Sequence, residues 1–197
     1  MTDVQTLQSP AEAARLFREI LSAFATPATP VRLSRTPEAP KALHPASVAL
    51  LLSLCDYQTP IWLAPGLDST EARKFIRFHT GAPLARTAGE AAFALAPADI
   101  NAGSLDGFAL GTHEYPDRST TIILQTKSLE GGAIAVIEGP GLKSPVSFAP
   151  TGTTAGLWQR LKDNTALFPI GFDIIFSSGQ EIAALPRSMQ ISMAEAV

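Results

Sequence analysis

Residues 172–185 read FDIIFSSGQEIAAL, and the kind of sheet this chain builds turns on them. Phe172-Asp173-Ile174-Ile175-Phe176 and Ile182-Ala183-Ala184-Leu185 are short apolar runs, and Ser177-Ser178-Gly179-Gln180 between them is turn-forming, so the pair predicts an antiparallel hairpin. Upstream, Thr121-Ile122-Ile123-Leu124 and Ala133-Ile134-Ala135-Val136-Ile137 are β-branched runs separated by a region containing Gly131-Gly132, a second hairpin candidate. Gly139-Pro140-Gly141 breaks the second run, and Val146 to Phe148 adds a short edge strand. A helix across Leu157, Trp158 and Leu161, reaching toward Leu167, separates these runs from the closing hairpin. The first half of the chain alternates instead. Ser9, Pro10 and Glu12 form a capping signal for a helix whose Ala13, Leu16, Phe17, Ile20, Leu21 and Phe24 make one apolar stripe, stopped by Thr26-Pro27. Val31 and Leu33 predict a half-buried strand, and residues 45–55 a helix apolar nearly all round and therefore buried. Ile61-Trp62-Leu63 predicts an interior strand. Asp68 and Glu71 predict the cap of a third helix that ends before Gly81, Ala92 to Leu95 a further strand, and the Leu105–Phe108 region one short helix. Alternation first and hairpins later predict one α/β domain with a mixed sheet, not a purely parallel one.

Composition narrows the function classes. The 197 residues are 46% hydrophobic and 17% charged, ample for a core without metal or disulfide staples. Fifteen Lys and Arg against eighteen Asp and Glu give a formal charge of −3, which argues against nonspecific nucleic-acid binding and against a basic membrane patch. The start MTDVQTLQSP lacks the basic and apolar regions of a leader, and the most apolar stretch, VALLLSLC at 48–55, falls far short of the ~20 residues that span a bilayer. The expected location is the cytoplasm. Cys55, the single cysteine, rules out internal disulfides and thiolate metal clusters; inside an apolar segment its thiol pKa is expected to rise, unlike that of a nucleophile.

Complete catalytic motifs are absent. His44, His79 and His113 lie 35 and 34 residues apart, with no H-E-x-x-H pair, so no metal site is expected. No G-x-S-x-G elbow, Walker loop or G-x-G-x-x-G occurs, and the proline of Gly139-Pro140-Gly141 lacks the N–H a phosphate cradle uses. Two features stand out. Arg73-Lys74-Phe75-Ile76-Arg77-Phe78-His79 gathers cations near a helix C-terminus, where the dipole favours them by about 0.3–1 kcal/mol each; Arg77 and His79 also have the donor chemistry of an anion site. Asp173 interrupts an apolar strand. If it points inward it requires a partner, and Arg187 can supply one across the closing hairpin, as a structural ion pair or as a pocket-lining pair.

Several segments together resemble one family, the H subunit of the carbon–phosphorus lyase core complex (PhnH). They are Phe17-Arg18-Glu19-Ile20-Leu21 with Pro27, ALLLSLCDYQTPIWL at 49–63, Arg77-Phe78-His79-Thr80-Gly81-Ala82-Pro83-Leu84, TTIILQTKSL at 120–129, Gly139-Pro140-Gly141, FPIGFDIIF at 168–176 and Ala184-Leu185-Pro186-Arg187. Their order and spacing over residues 10–192 carry the resemblance; Ala28 departs from it, standing where the family often has glycine. The resemblance implies a single PhnH-like domain over 1–197, a three-layer αβα sandwich similar to the large domain of type I pyridoxal-phosphate transferases but without the cofactor. None of Lys127, Lys143 and Lys162 stands out as a Schiff-base lysine. It also implies a homodimer that assembles with the G, I and J subunits. That complex joins a phosphonate to ribose C1 of a nucleoside triphosphate with loss of the base, before a radical step on the J subunit cleaves the carbon–phosphorus bond. The expected role is thus a required, noncatalytic subunit. Arg77 and His79 are then the candidates for touching a triphosphate or phosphonate, and Asp173 and Arg187 for shaping a pocket or interface. The alternative is a stand-alone enzyme, or a binder of a small phosphorylated or phosphonate ligand, acting through Arg77 and His79.

Overall fold

Ser9 opens the first helix in the computed structural model, which describes residues 9–193; the leader-free reading of residues 1–8 lies outside them. Ser9 Oγ accepts from the Glu12 amide at 3.2 Å, Pro10 takes the first turn, and helix α1 runs Pro10–Ala25. Only part of its stripe is buried. Leu16, Ile20 and Ala23 are covered, whereas Phe17 and Leu21 are 45% and 51% exposed. Strand β1 (Val31–Arg32), helix α2 (Pro45–Leu54) and strand β2 (Ile61–Leu63) follow where the apolar pattern puts them. Helix α3 (Thr70–Thr80) is capped by Ser69, not Asp68: Ser69 Oγ accepts from the Ala72 amide at 3.0 Å, and the Asp68 carboxylate is taken by Arg73. Gly81, in the left-handed conformation, ends the helix as expected.

The remaining strands are β3 (Phe93–Pro97), β4 (Thr121–Gln125), β5 (Ala135–Glu138), β6 (Val146–Phe148), β7 (Asp173–Ser178), β8 (Glu181–Leu185) and β9 (Gln190–Met193), with helix α4 (Ala155–Thr165) between β6 and β7. Short 3₁₀ turns occupy Ala88–Glu90 and Ala102–Gly107. Six strands form one sheet in the order β1-β8-β7-β4-β3-β2. Strands β2, β3, β4 and β7 are parallel, and β8 and β1 are added antiparallel at one side, so the sheet is mixed. The closing hairpin is present, with a turn of two residues, Gly179-Gln180, because Ser177 and Ser178 extend β7.

The hairpin expected around Gly131-Gly132 does not form. Strand β4 has β3 on one side and β7 on the other, so β5 leaves for a second, three-stranded sheet ordered β6-β5-β9. Gly132 marks a close backbone approach rather than a hairpin turn: a Cβ there would sit 1.9 Å from the Pro150 carbonyl oxygen. Strand β9 carries little apolar signal of its own and is held in place by β5. Helix α4 stops at Thr165, leaving Leu167 outside it and 39% exposed.

Because the six-stranded sheet is covered on both faces, its strands are apolar on both. Ile61, Leu95, Ile123, Ile175 and Ile182 pack under α1, α2 and α3, while Ala94, Ile122, Leu124, Ile174 and Phe176 pack against α4, the 102–107 turn and the small sheet. The third layer therefore combines a helix with a second sheet and is not purely helical. Trp158 of α4 is fully buried there, with Nε1 donating to the Ala133 carbonyl at 3.0 Å and its ring 6.0 Å from that of Phe176. Ala28, the departure from the family pattern, has φ +56° in the left-handed region; its amide donates to the Ala184 carbonyl at 2.8 Å, which holds the turn after α1 against β8. The fold contains no helix, among the described residues, long and apolar enough to cross a membrane.

Buried Asn164 joins α4 to the start of β7. Its Nδ2 donates to the Phe172 carbonyl and its Oδ1 accepts from the Phe172 amide, both at 2.9 Å. Asn164→Ala leaves both backbone groups buried without partners, and is expected to lower unfolding free energy by about 2–3 kcal/mol in urea denaturation.

Candidate functional site

Helix α3 carries the charged cluster because its two sides face different surroundings. Ala72 and Ile76 are buried beneath it, and the charged positions Arg73 and Arg77, four apart, stack along one side. That side borders a cavity of about 570 Å³ beside β2, lined among others by Trp62, Asp68, Arg73, Arg77, Leu84 and Arg86. The segment after α3 returns along β2: the Ile61 amide donates to the Pro83 carbonyl and the Ala85 amide to the Ile61 carbonyl, both at 2.9 Å, which sets Arg86 at the rim. Arg73 donates through Nε and Nη2 to Asp68, and these bonds hold the Asp68 carboxyl below the usual carboxylate range. The Arg77 and Arg86 guanidiniums have no hydrogen-bond or ion-pair partner among the described residues. Three guanidiniums around one carboxylate leave a surplus of positive charge and two free planar donor groups, a match for a phosphate-like oxyanion. Arg86 was not picked out in the sequence; its signal is the return of residues 83–85 along β2, a tertiary contact.

His79 does not join Arg77 in this cavity. Two positions along a helix, the side chains diverge, and the His79 ring packs against Phe75 (centroids 4.3 Å apart) and Phe78 (4.9 Å). With Lys74 they border a shallow hollow on the outer side of α3, where Phe78 is 84% exposed. Arg77 lines this hollow as well. Burial lowers the His79 imidazole pKa below its ordinary range. The pKa of the Cys55 thiol, just past α2, is pushed up chiefly by burial, which disfavours the thiolate.

Asp173 and Arg187 do meet, at the amino ends of the parallel strands. Arg187 Nη2 lies 2.5 Å from Asp173 Oδ2, Nε donates to Oδ1 at 3.2 Å, and the Arg187 amide donates to Oδ1 at 2.8 Å. The remaining guanidinium donors reach the Pro116 carbonyl at 2.8 Å and Ser119 Oγ at 2.6 Å. Every arm of Arg187 is engaged, so the pair ties β7, the turn after β8 and the 116–119 loop together. Among the described residues no cluster of three or more His, Cys, Asp or Glu is placed to hold a metal.

A mixed sheet with helices packed on it makes this an α/β protein in its general class. The chain belongs to the PhnH family: the family model for the bacterial phosphonate metabolism protein (PhnH) matches residues 5–192. A relative from Rhizobium meliloti (strain 1021), named alpha-D-ribose 1-methylphosphonate 5-triphosphate synthase subunit PhnH, is 39% identical over 91% of this chain and 90% of its own. A second, the putative C-P lyase subunit protein HtxG of Stutzerimonas stutzeri, is 28% identical over 90% of this chain and 84% of its own.

Two measurements check this geometry. Arg187→Ala leaves the part-buried Asp173 carboxylate with only the residue-187 amide and is expected to cost about 1–3 kcal/mol of stability by chemical denaturation, with Arg187→Lys recovering part of it. The ring of His79 is expected to titrate by NMR below about 6.5, and Phe75→Ala to move that midpoint back up. In the interval between the folded and unfolded midpoints the unfolded chain binds more protons, so this group's contribution to stability rises with pH there.

Proposed function

We propose that this chain is a required, noncatalytic subunit of the carbon–phosphorus lyase core complex, acting in the transfer of a phosphonate to ribose C1 of a nucleoside triphosphate during phosphonate catabolism. The observation that carries the reading is the 39% identity to a synthase subunit across nine-tenths of both chains. The whole of 1–197 acts as one PhnH-like domain in the cytoplasm, a homodimer by itself and a partner of the G, I and J subunits. Its kinship with the large domain of type I pyridoxal-phosphate transferases, without the cofactor, fits the parallel order of β2, β3, β4 and β7. Exposed Phe78 beside Phe75 and His79 supports an assembly role, since an aromatic patch on a folded surface favours burial against a partner. Arg77, with Arg86, receives the triphosphate; His79 serves the partner contact, and Asp173 with Arg187 braces the 116–119 loop.

The second reading, a stand-alone enzyme or small-ligand binder, is favoured by the same unpaired guanidiniums. One experiment separates the two. The chain is copurified with and without the G, I and J subunits, and nucleobase release and tripolyphosphate binding are measured. The subunit reading expects copurification, disrupted by Phe78→Asp, and no base release by the isolated chain. Arg77→Ala is expected to weaken tripolyphosphate binding about 10- to 100-fold, the loss of one or two charge-assisted hydrogen bonds. Turnover by the isolated chain, abolished in Arg77→Ala, places the activity in this chain alone.

A further inference from the structure

A second cleft, of about 410 Å³, opens at the other end of the sheet, and no part of the assembly reading uses it. It lies where β3 ends at Pro97 and β4 at Gln125, outside the carboxyl ends of two adjacent parallel strands, which is where open α/β sheets bind ligands. His44, Asp99 and Lys127 line it from three segments: the start of α2, the residue pair after β3 and the residue pair after β4.

The floor is built to hold these groups. Gln125, buried, accepts from the His44 amide at 2.7 Å and donates to the Ala42 carbonyl at 3.1 Å. His44 Nδ1 lies 3.2 Å from the Ser177 carbonyl, an acceptor only, so Nδ1 carries the proton and Nε2 is left for another partner. Thr126 Oγ1 and Thr151 Oγ1 are 2.8 Å apart, and the Ser128 amide donates to Thr151 Oγ1 at 3.0 Å, bracing the backbone on both sides of Lys127. Among the described residues, five of the seven buried polar ones (Ser47, Gln125, Thr126, Thr153 and Ser177) lie at this end of the fold. The first turn of α2 does not supply the donors: Pro45 has no N–H, and the Ala46 amide donates to the Gly179 carbonyl at 2.9 Å. Recognition falls to side chains. Asp99 and Lys127 have no side-chain hydrogen-bond or ion-pair partner among the described residues, although both face the same space.

We propose that this cleft binds a small phosphorus oxyanion that also carries hydroxyl groups, with Lys127 on the oxyanion and both His44 Nε2 and the Asp99 carboxylate accepting from the hydroxyls. One ammonium supplies donors, and one imidazole nitrogen and one carboxylate supply acceptors, which selects a ligand with both functions over either alone. Phosphorus as the oxyanion's centre rests on the phosphonate reading above; the cleft and its donor set do not.

The test is an NMR titration of the His44 ring in the full-length chain with ribose 5-phosphate, methylphosphonate, malate and ribose. The expected result is a saturable shift with ribose 5-phosphate at a Kd of about 1 mM or tighter, a weaker one with methylphosphonate, and none with ribose. Lys127→Met is expected to weaken ribose 5-phosphate binding about tenfold or more. Asp99→Asn removes the preference for ribose 5-phosphate over methylphosphonate, while Arg77→Ala leaves the titration unchanged. An unmoved His44 ring, or a Kd indifferent to Lys127→Met, overturns the proposal, as does a response lost in Arg77→Ala, which places the ligand in the α3 cavity. Tighter binding of malate than of ribose 5-phosphate overturns the phosphorus assignment. Copurification with the G, I and J subunits is read separately, so failure here and failure of the assembly reading are distinguishable.

Discussion

Strand β7 is the constraint on which the other elements depend. It pairs parallel with β4 on one side and antiparallel with β8 on the other, and Ile174, Ile175, Phe176 and Ser177 are buried on both faces at once. A strand closed on both edges and both faces has no freedom of register, since a shift of one residue would drive Ser177 into the Phe176 site. From that fixed strand the parallel half of the sheet extends through β4, β3 and β2. The antiparallel half closes it through β8 and β1, and it anchors the turn that ends α1 through the bond from Ala28 to Ala184.

The two ends of the sheet then diverge in chemistry. At the amino end Asp173, the first residue of β7, is neutralised by Arg187, whose other donors are held by Pro116 and Ser119. A charge pair this enclosed gives rigidity and leaves nothing over for a ligand. At the carboxyl end the polar groups beneath the surface are satisfied by one another, while the outermost ones are not. A sheet braced at one end can keep an open, polar cleft at the other without losing register.

Most of the element order was legible because each element carries a local cause. Ser9 with Pro10, the evenly apolar α2 and the β-branched strands all act within a few residues of chain. What escaped was decided by partners far away in sequence. The Gly131-Gly132 pair looks like a hairpin turn, yet β4 has no free edge for β5 to join, and the glycine serves an approach to Pro150. Strand β9 exists because β5 offers it an edge. The same holds at the sites. Asp173 with Arg187 was readable because one charge inside an apolar strand demands a counter-charge. By contrast, the Arg77–Arg86 rim and the His44, Asp99 and Lys127 grouping depend on loops that only the folded sheet brings together.

Helix α3 shows how one short segment serves two purposes. Eleven residues with a buried side of Ala72 and Ile76 leave two exposed flanks, and the sequence charges one while making the other aromatic. Arginines on the first flank gain from the nearby helix C-terminus and from Asp68, yet Arg77 and Arg86 stay unpaired, an arrangement that self-repulsion opposes unless an anion offsets it. On the second flank Phe78 remains in water although Phe75, three residues earlier, is half-buried against the core, so exposure there is specific to the tip of the patch. The helix period places Arg77 between the two flanks, where it lines both the α3 cavity and the aromatic hollow, while His79 lines the hollow alone, so an anion held in the cavity and a partner seated on the aromatic patch meet at Arg77.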